Sequence, residues 1–159
     1  MHFELLVRIH RTPAEVFAFL RDKDRYPQKP GSPVLALELL TPEPPGRGSR
    51  YREVVRMLPW YTGQITSVVT RFDPPHGLAE DFVGPGMRGH LEYEIAADPA
   101  GTLLVQRERL HPQGALRLVT PVIRATLARR LRSRLDGIKA ELDAGWVVDL
   151  NRENRRGHR

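Results

Sequence analysis

The chain has 159 residues, a net charge of +6 from 25 Lys+Arg against 19 Asp+Glu, and no cysteine. That length allows one domain with its own core, and 40 % hydrophobic residues with 13 Gly and 14 Pro mark a globular chain, neither disordered nor collagenous. The lack of cysteine excludes a disulfide scaffold, a thiolate nucleophile and a Cys-ligated zinc site.

The charge is unevenly placed. Residues 1–115 hold 14 basic and 14 acidic side chains, whereas residues 116–159 hold 11 and 5 and so carry the whole excess. No apolar run approaches the roughly 20 residues that span a bilayer. The start, Met-His-Phe-Glu-Leu-Leu-Val, has no basic segment followed by an apolar one, so no signal peptide is read and a cytoplasmic location is expected.

Residues 3–9 alternate, with Phe3, Leu5, Val7 and Ile9 on one face, and predict a half-buried strand. Thr12-Pro13-Ala14-Glu15 follows. Thr12 can cap a helix, Pro13 suits its first position, and Glu15 completes a capping box. Val16, Phe17 and Leu20 give this short helix its buried side. The polar run from Asp22 to Pro27 predicts a second short helix or turn. Residues 34–40 form a strand with little alternation, and the Pro/Gly-rich stretch 41–49 is an exposed turn.

Residues 50–58 alternate again, with Tyr51, Glu53, Val55 and Met57 on one face and Arg50, Arg52 and Arg56 on the other. After Pro59 a long strand runs from residue 60 to residue 72, and further strands are expected over 78–83, 87–95 and 102–110. Between residues 87 and 95, Leu91, Tyr93 and Ile95 oppose His90, Glu92 and Glu94. In the last strand Gln106 and Glu108 are assigned inward, because Arg107 and Arg109 are easier to leave in water.

The period then changes. Thr120-Pro121 repeats the cap-and-proline start, and Ile123, Leu127, Leu131, Leu135, Ile138 and Leu142 recur at helical spacing. Gly145 stands where a C-terminal cap glycine belongs. The expected organisation is a domain over 1–144 and a basic, flexible tail over 145–159. Its fold class is α+β: one strand, two short helices, six strands in an antiparallel meander, and a long helix as the element able to cover the sheet's apolar face.

That order resembles the START-like, or polyketide cyclase/dehydrase, superfamily (SRPBCC), whose helix-grip fold also occurs in birch-pollen-type allergens. The local text agrees: "Thr-Pro-Ala-Glu-Val-Phe-Ala-Phe-Leu" at 12–20 looks like the family's first helix, and "Asp-Arg-Tyr-Pro" at 24–27 is similar to the turn after it. "Gly-Pro-Gly" at 84–86, "Ala-Gly-Thr" at 100–102 and "Pro-Gln-Gly" at 112–114 look like its later loops. The resemblance implies a cavity between sheet and long helix, holding a small hydrophobic molecule such as a lipid, quinone or polyketide. Some bacterial members carry Trp and His on the strand after Gly-Pro. Here Gly89, Leu91 and Tyr93 stand in that region, which makes the expected cavity less polar.

Tyr51, Glu53, Val55, Met57, Leu91, Tyr93, Gln106, Glu108, Ile123, Leu127 and Leu131 are therefore the candidate ligand-binding residues, an apolar wall with a few polar anchors. An ordinary filled core is the alternative for the aliphatic ones. Glu53 and Glu108 are the candidates for acid/base chemistry, since a carboxylate on an apolar face titrates high if desolvated; the alternative is a structural pair with an arginine. His90, Glu92 and Glu94 share a strand face with metal-ligand types, but a solvent face explains them as well. No nucleophile elbow, phosphate loop or dinucleotide fingerprint occurs, so no cofactor and no metal is called for. Trp60 and Tyr61 suit a cavity lip that touches a membrane, or plain rim packing. Arg124, Arg129, Arg130, Arg132 and Arg134, with the basic tail, suit an anionic surface such as RNA or a lipid headgroup, or a solvated helix face.

Overall fold

A computed structural model describes residues 1–28, 32–58 and 61–145; the side chains of Met57, Leu58, Val122 and Ile123 lie outside that description. Seven strands form one antiparallel sheet: β1 (His2–Ile9), β2 (Val34–Leu39), β3 (Arg50–Leu58), β4 (Tyr61–Asp73), β5 (Gly77–Gly84), β6 (Met87–Asp98) and β7 (Gly101–Pro112). Helix α1 (Pro13–Arg21) and a 3-10 turn (Lys23–Arg25) separate β1 from β2, and helix α2 (Thr120–Asp143) closes the chain. The sheet order is β1-β7-β6-β5-β4-β3-β2. The expected meander is therefore present, with β1 paired to the last strand.

The registers make one face continuous. Val69, Glu80, Leu91, Glu108 and Phe3 lie in one row across the sheet, and Leu78, Tyr93, Gln106 and Leu5 lie in the next. Cross-strand partners share a face because side chains alternate with period two. This face, with Val7, Ile9, Ile95 and Leu104, meets Val16, Phe17, Phe19 and Leu20 of α1 and Leu131, Leu135, Ile138 and Leu142 of α2 in the core. The long helix is not the sole cover that the sequence suggests. Helix α2 packs along β1, while α1 packs on β5, β6 and β7. Phe17 of α1 stacks edge-on against Phe72 of β4 at 5.2 Å.

Local rules explain the helix ends. The Thr12 hydroxyl accepts from the Glu15 N–H at 3.3 Å, and the Glu15 carboxylate accepts from the Thr12 N–H at 2.9 Å, so the capping box is complete. The cap expected at Thr120 is absent. Val119 holds the N-cap position, and the Thr120 hydroxyl donates back to the Leu116 carbonyl at 3.2 Å. The preceding 3-10 turn, Gly114–Arg117, supplies that carbonyl and has already turned the chain. At the other end Gly145 has φ +101°, the left-handed cap expected of it. Asp143 accepts from the His10 N–H at 2.8 Å and the Lys139 ammonium at 2.7 Å, tying the end of α2 to the corner between β1 and α1.

Candidate functional site

The inner face is not uniformly apolar. Lys23, in the 3-10 turn after α1, is only 7 % exposed. Its ammonium meets the Glu53 carboxylate at 3.3 Å, contacts the Glu80 carboxylate more closely still, and stands 4.6 Å from the centre of the Tyr51 ring. Burial disfavours the Lys23 charge, but Glu80 and Glu53 outweigh it and raise its pKa above the usual lysine value. Burial likewise raises that of the Tyr51 phenol.

A second polar group lies on β6 and β7. Gln106 is 1 % exposed and donates from Nε2 to the Glu108 carboxylate at 3.3 Å. Tyr93 is the direct cross-strand partner of Gln106. The Tyr93 hydroxyl and the Gln106 Oε1 are buried without a hydrogen-bond partner among the described residues. Desolvation raises the Glu108 pKa, with the Glu80 charge adding to it, against the opposing pull of Arg134 and the Gln106 hydrogen bond. Burial also pushes the Tyr93 phenol well above its ordinary value. Arg134 of α2 is an exposed residue overall, and its guanidinium lies 5.9 Å from the centre of the Tyr26 ring. Burial opposes ionisation of Tyr26, but Arg134 and Arg25 outweigh it and lower that phenol's pKa.

The site residues expected from sequence distribute as follows. Tyr51, Leu91, Tyr93, Gln106, Glu108 and Leu131 are buried, and Glu53, Val55 and Leu127 are half-buried. Met57 and Ile123 fall outside the described side chains, and Trp60 and the tail from residue 146 fall outside the described residues. Glu53 and Glu108 both face inward, but the partner of Glu53 is Lys23, not an arginine. Sequence reasoning missed Lys23, Glu80 and Tyr26. Glu80 was within its reach, because Leu78, Glu80 and Phe82 alternate on β5 as the candidate residues do on β3 and β7.

The outer face is separate. His90 Nδ1 lies 2.6 Å from Asp81, Glu92 pairs with Arg71 at 3.4 Å, and Glu94 pairs with Arg107 at 2.5 Å, so these three side chains serve a solvent-side ion-pair lattice. Gly89 leaves room on the inner face that Phe82 takes: a Cβ there would stand 2.4 Å from the Phe82 ring. A small niche beside Lys23, Tyr51, Phe72 and Leu78 holds about 10 Å³, space for roughly one water.

A curved antiparallel sheet gripping a long C-terminal helix, with polar groups sunk in the face between them, defines a helix-grip α+β protein. The chain belongs to the family described as polyketide cyclase / dehydrase and lipid transport, which it matches over residues 1–143. Among solved structures it is similar to the Zhui aromatase/cyclase from Streptomyces sp. R1128, at 20 % identity and TM-score 0.75 over 92 % of this chain and 99 % of that one. It is similar also to TTHA0849 from Thermus thermophilus, at 15 % identity and TM-score 0.70 over 92 % and 100 % of the two chains. Ara h 8.0201 matches at 13 % identity and TM-score 0.68 over 91 % and 95 %. At these identities the likeness concerns the fold. No curated protein sequence matches significantly. Among the described residues no helix is long and apolar enough to cross a membrane.

Proposed function

We propose that the protein binds a small hydrophobic molecule (a lipid, quinone or polyketide-like compound) between sheet and α2, anchored by Glu108, Gln106 and Tyr93. The observation that carries this reading is the unpartnered pair, the Tyr93 hydroxyl and Gln106 Oε1, buried in the core beside a carboxyl whose pKa burial raises. A buried polar atom without a partner costs about 1–3 kcal/mol, and a ligand hydroxyl or carbonyl would remove that cost. Apolar walls with few convergent polar groups are the usual build of such a site. The family, with its cyclases and lipid transporters, supports the same ligand class.

A second reading, a cyclase/dehydratase-type enzyme, is favoured by Glu108. A carboxyl whose pKa burial raises is better suited than a free one to protonate a departing hydroxyl. Lys23 holds Glu53 as an ion pair, which favours Glu108 over Glu53 for that role. Titration with the hydroxyanthraquinone alizarin, followed by its absorbance and by native mass spectrometry, tests binding. Wild type should bind one equivalent, and Tyr93→Phe and Glu108→Gln should each weaken it about tenfold, a lost hydrogen bond of roughly 1.4 kcal/mol. Retention of full affinity by both variants would defeat the anchor. Conversion of a β-hydroxy ketone to its enone, lost in Glu108→Gln, would decide for the enzyme.

A further inference from the structure

One end of the sheet differs in character from the rest of the surface. The β3–β4 hairpin, closed by the Leu58–Tyr61 pair, and the β5–β6 turn, closed by Gly84–Met87, project from the same end, because Thr66 pairs with Val83. Met87 pairs with Pro112, so the connection from β7 to α2 starts there too. The Gln113 N–H donates to the Gly86 carbonyl at 2.7 Å. Leu116 lies so close that a Cβ on Gly86 would meet it at 2.7 Å. The two loops are thus locked together.

Large apolar side chains stand in water at this end. Leu118 is 86 % exposed and Val83 is 59 % exposed, with Val119 and Tyr61 also open. Lone exposed apolar residues are ordinary, but several gathered on adjoining loops mark an interaction surface. The charge around them has one sign. Residues 54–66, 82–91 and 109–128 contain no Asp or Glu, yet they supply Arg56, Arg88, Arg109, Arg117 and Arg124. Those five are exposed and make no ion pair among the described residues. The bordering carboxylates are engaged or buried: Asp81 with His90, Glu53 with Lys23, Glu108 inside. At the opposite end the turns carry Glu15, Glu43, Asp73, Asp98 and Asp143.

We propose that this end, led by Leu118 and Val119 and ringed by Arg88, Arg117 and Arg124, docks on an anionic lipid bilayer. Apolar side chains that enter the headgroup region, with arginines beside them, are the combination that such a surface selects. At the far end Glu15, Asp73, Asp98 and Asp143 are paired with Arg11, Arg71, Arg8 and Lys139, so the excess positive charge and the exposed apolar cluster coincide only at the docking end. This differs from docking through the outer face of α2. There Arg132 is already bound to Asp136 at 3.2 Å, and Arg134 turns back to Tyr26.

Sedimentation with vesicles of phosphatidylcholine, with and without phosphatidylglycerol, tests the proposal. The full-length protein should bind the phosphatidylglycerol vesicles and release them as salt rises. Each arginine removed (Arg117→Ala, Arg124→Ala) should lower partitioning roughly fivefold, and Leu118→Asp with Val119→Asp should abolish it. Arg47→Ala, at the opposite end, should change nothing. Because the chain has no cysteine, Leu118→Cys accepts a single environment-sensitive fluorophore. That label should shift to the blue on anionic vesicles, and the same label at Arg47→Cys should not. Absence of binding at low salt, binding unaffected by the Leu118/Val119 change, an equal shift from both labels, or binding to RNA in place of vesicles would each overturn the proposal.

Discussion

Lys23 is the residue whose loss should be felt most. Its ammonium is the cation between two carboxylates, Glu53 and Glu80, whose side chains are 17 % and 11 % exposed. Lys23→Met keeps the aliphatic stem and removes the charge, leaving two acids facing each other in the core. Removing one partner of a buried pair costs about 3–5 kcal/mol, and losing the cation over the Tyr51 ring adds about 0.5–1 kcal/mol. For a domain of this size about 1 kcal/mol moves Tm by roughly 2–4 °C, so Tm at neutral pH should fall by about 7–24 °C. The pH dependence has a definite sign. Without Lys23 the folded state favours a protonated Glu53 or Glu80, which raises that carboxyl's folded pKa above its unfolded value. The variant should therefore regain stability as pH falls from about 7 to about 5. In wild type the raised pKa of Lys23 keeps its contribution intact at neutral pH, with loss only as pH climbs through that folded value. Urea denaturation at a series of pH values reads both effects. The triple change Lys23→Met, Glu53→Gln, Glu80→Gln should recover most of the loss, since neutral groups need no cation. A Lys23→Met cost below about 1 kcal/mol, or one that is the same at both pH values, would refute the buried network.

Glu108 should behave in the opposite sense to an ordinary salt-bridged acid. Its raised folded pKa makes wild type lose stability as pH rises from the unfolded glutamate value toward neutrality, at about 1.4 kcal/mol per unit of displacement. Glu108→Gln should remove that slope, so the wild-type-minus-variant difference in unfolding free energy should fall with pH; a flat difference refutes it. Gly137 lies inside α2 with open space where a Cβ would go. Gly137→Ala should raise stability by about 0.5–1 kcal/mol in thermal melts. Gly101→Ala should do the reverse, costing more than about 2 kcal/mol, because φ is +132° and the Cβ would meet the Ile9 carbonyl at 2.4 Å. Thr12→Ala should cost about 1 kcal/mol through loss of the α1 cap, read in the same melts.

Most of the strands were legible because β1, β3, β6 and β7 have a period of two on a half-buried face, while β2, with little alternation, was marked off by the turn residues around it. Gly101 and the Gly84-Pro85-Gly86 run mark hairpins on steric grounds alone. The inward assignment of Gln106 and Glu108 followed from the cost of burying Arg107, and Arg107 does sit outside, between Glu4 and Glu94. Lys23 was not legible. It stands in the run Asp22-Lys23-Asp24-Arg25, which has the composition of a solvated turn. Its burial is set by where α1 docks, 57 positions from Glu80 and 30 from Glu53. Contacts at such separation leave no periodic trace. Thr120 failed for a related reason: a 3-10 turn before α2 displaced the N-cap by one residue, and propensity alone does not register that shift.

The interior holds two polar groups with different electrostatic accounts, and the contrast bears on function. In the Lys23 group, one ammonium is paired with two carboxylates, and these ion pairs fix the turn after α1 against β3 and β5. In the Glu108 group nothing cancels. Arg134 only partly offsets desolvation, and two polar atoms stay without partners among the described residues. A protein selected for stability alone would gain by making Gln106 and Glu108 apolar, since both are buried on strand β7 among Leu104 and Leu110. Glu80 belongs to the Lys23 group, yet its carboxylate also raises the Glu108 pKa, two strands away in the same row of the sheet. The carboxylate that anchors the turn after α1 thereby adds to the upward shift of the Glu108 pKa. In its protonated form, which the raised pKa favours, Glu108 beside a phenol and an amide can donate or accept, which suits either holding a ligand's oxygen or moving a proton to it. On the proposed reading, what separates binding from catalysis is therefore the reactivity of the molecule that enters, since the same three side chains would serve both.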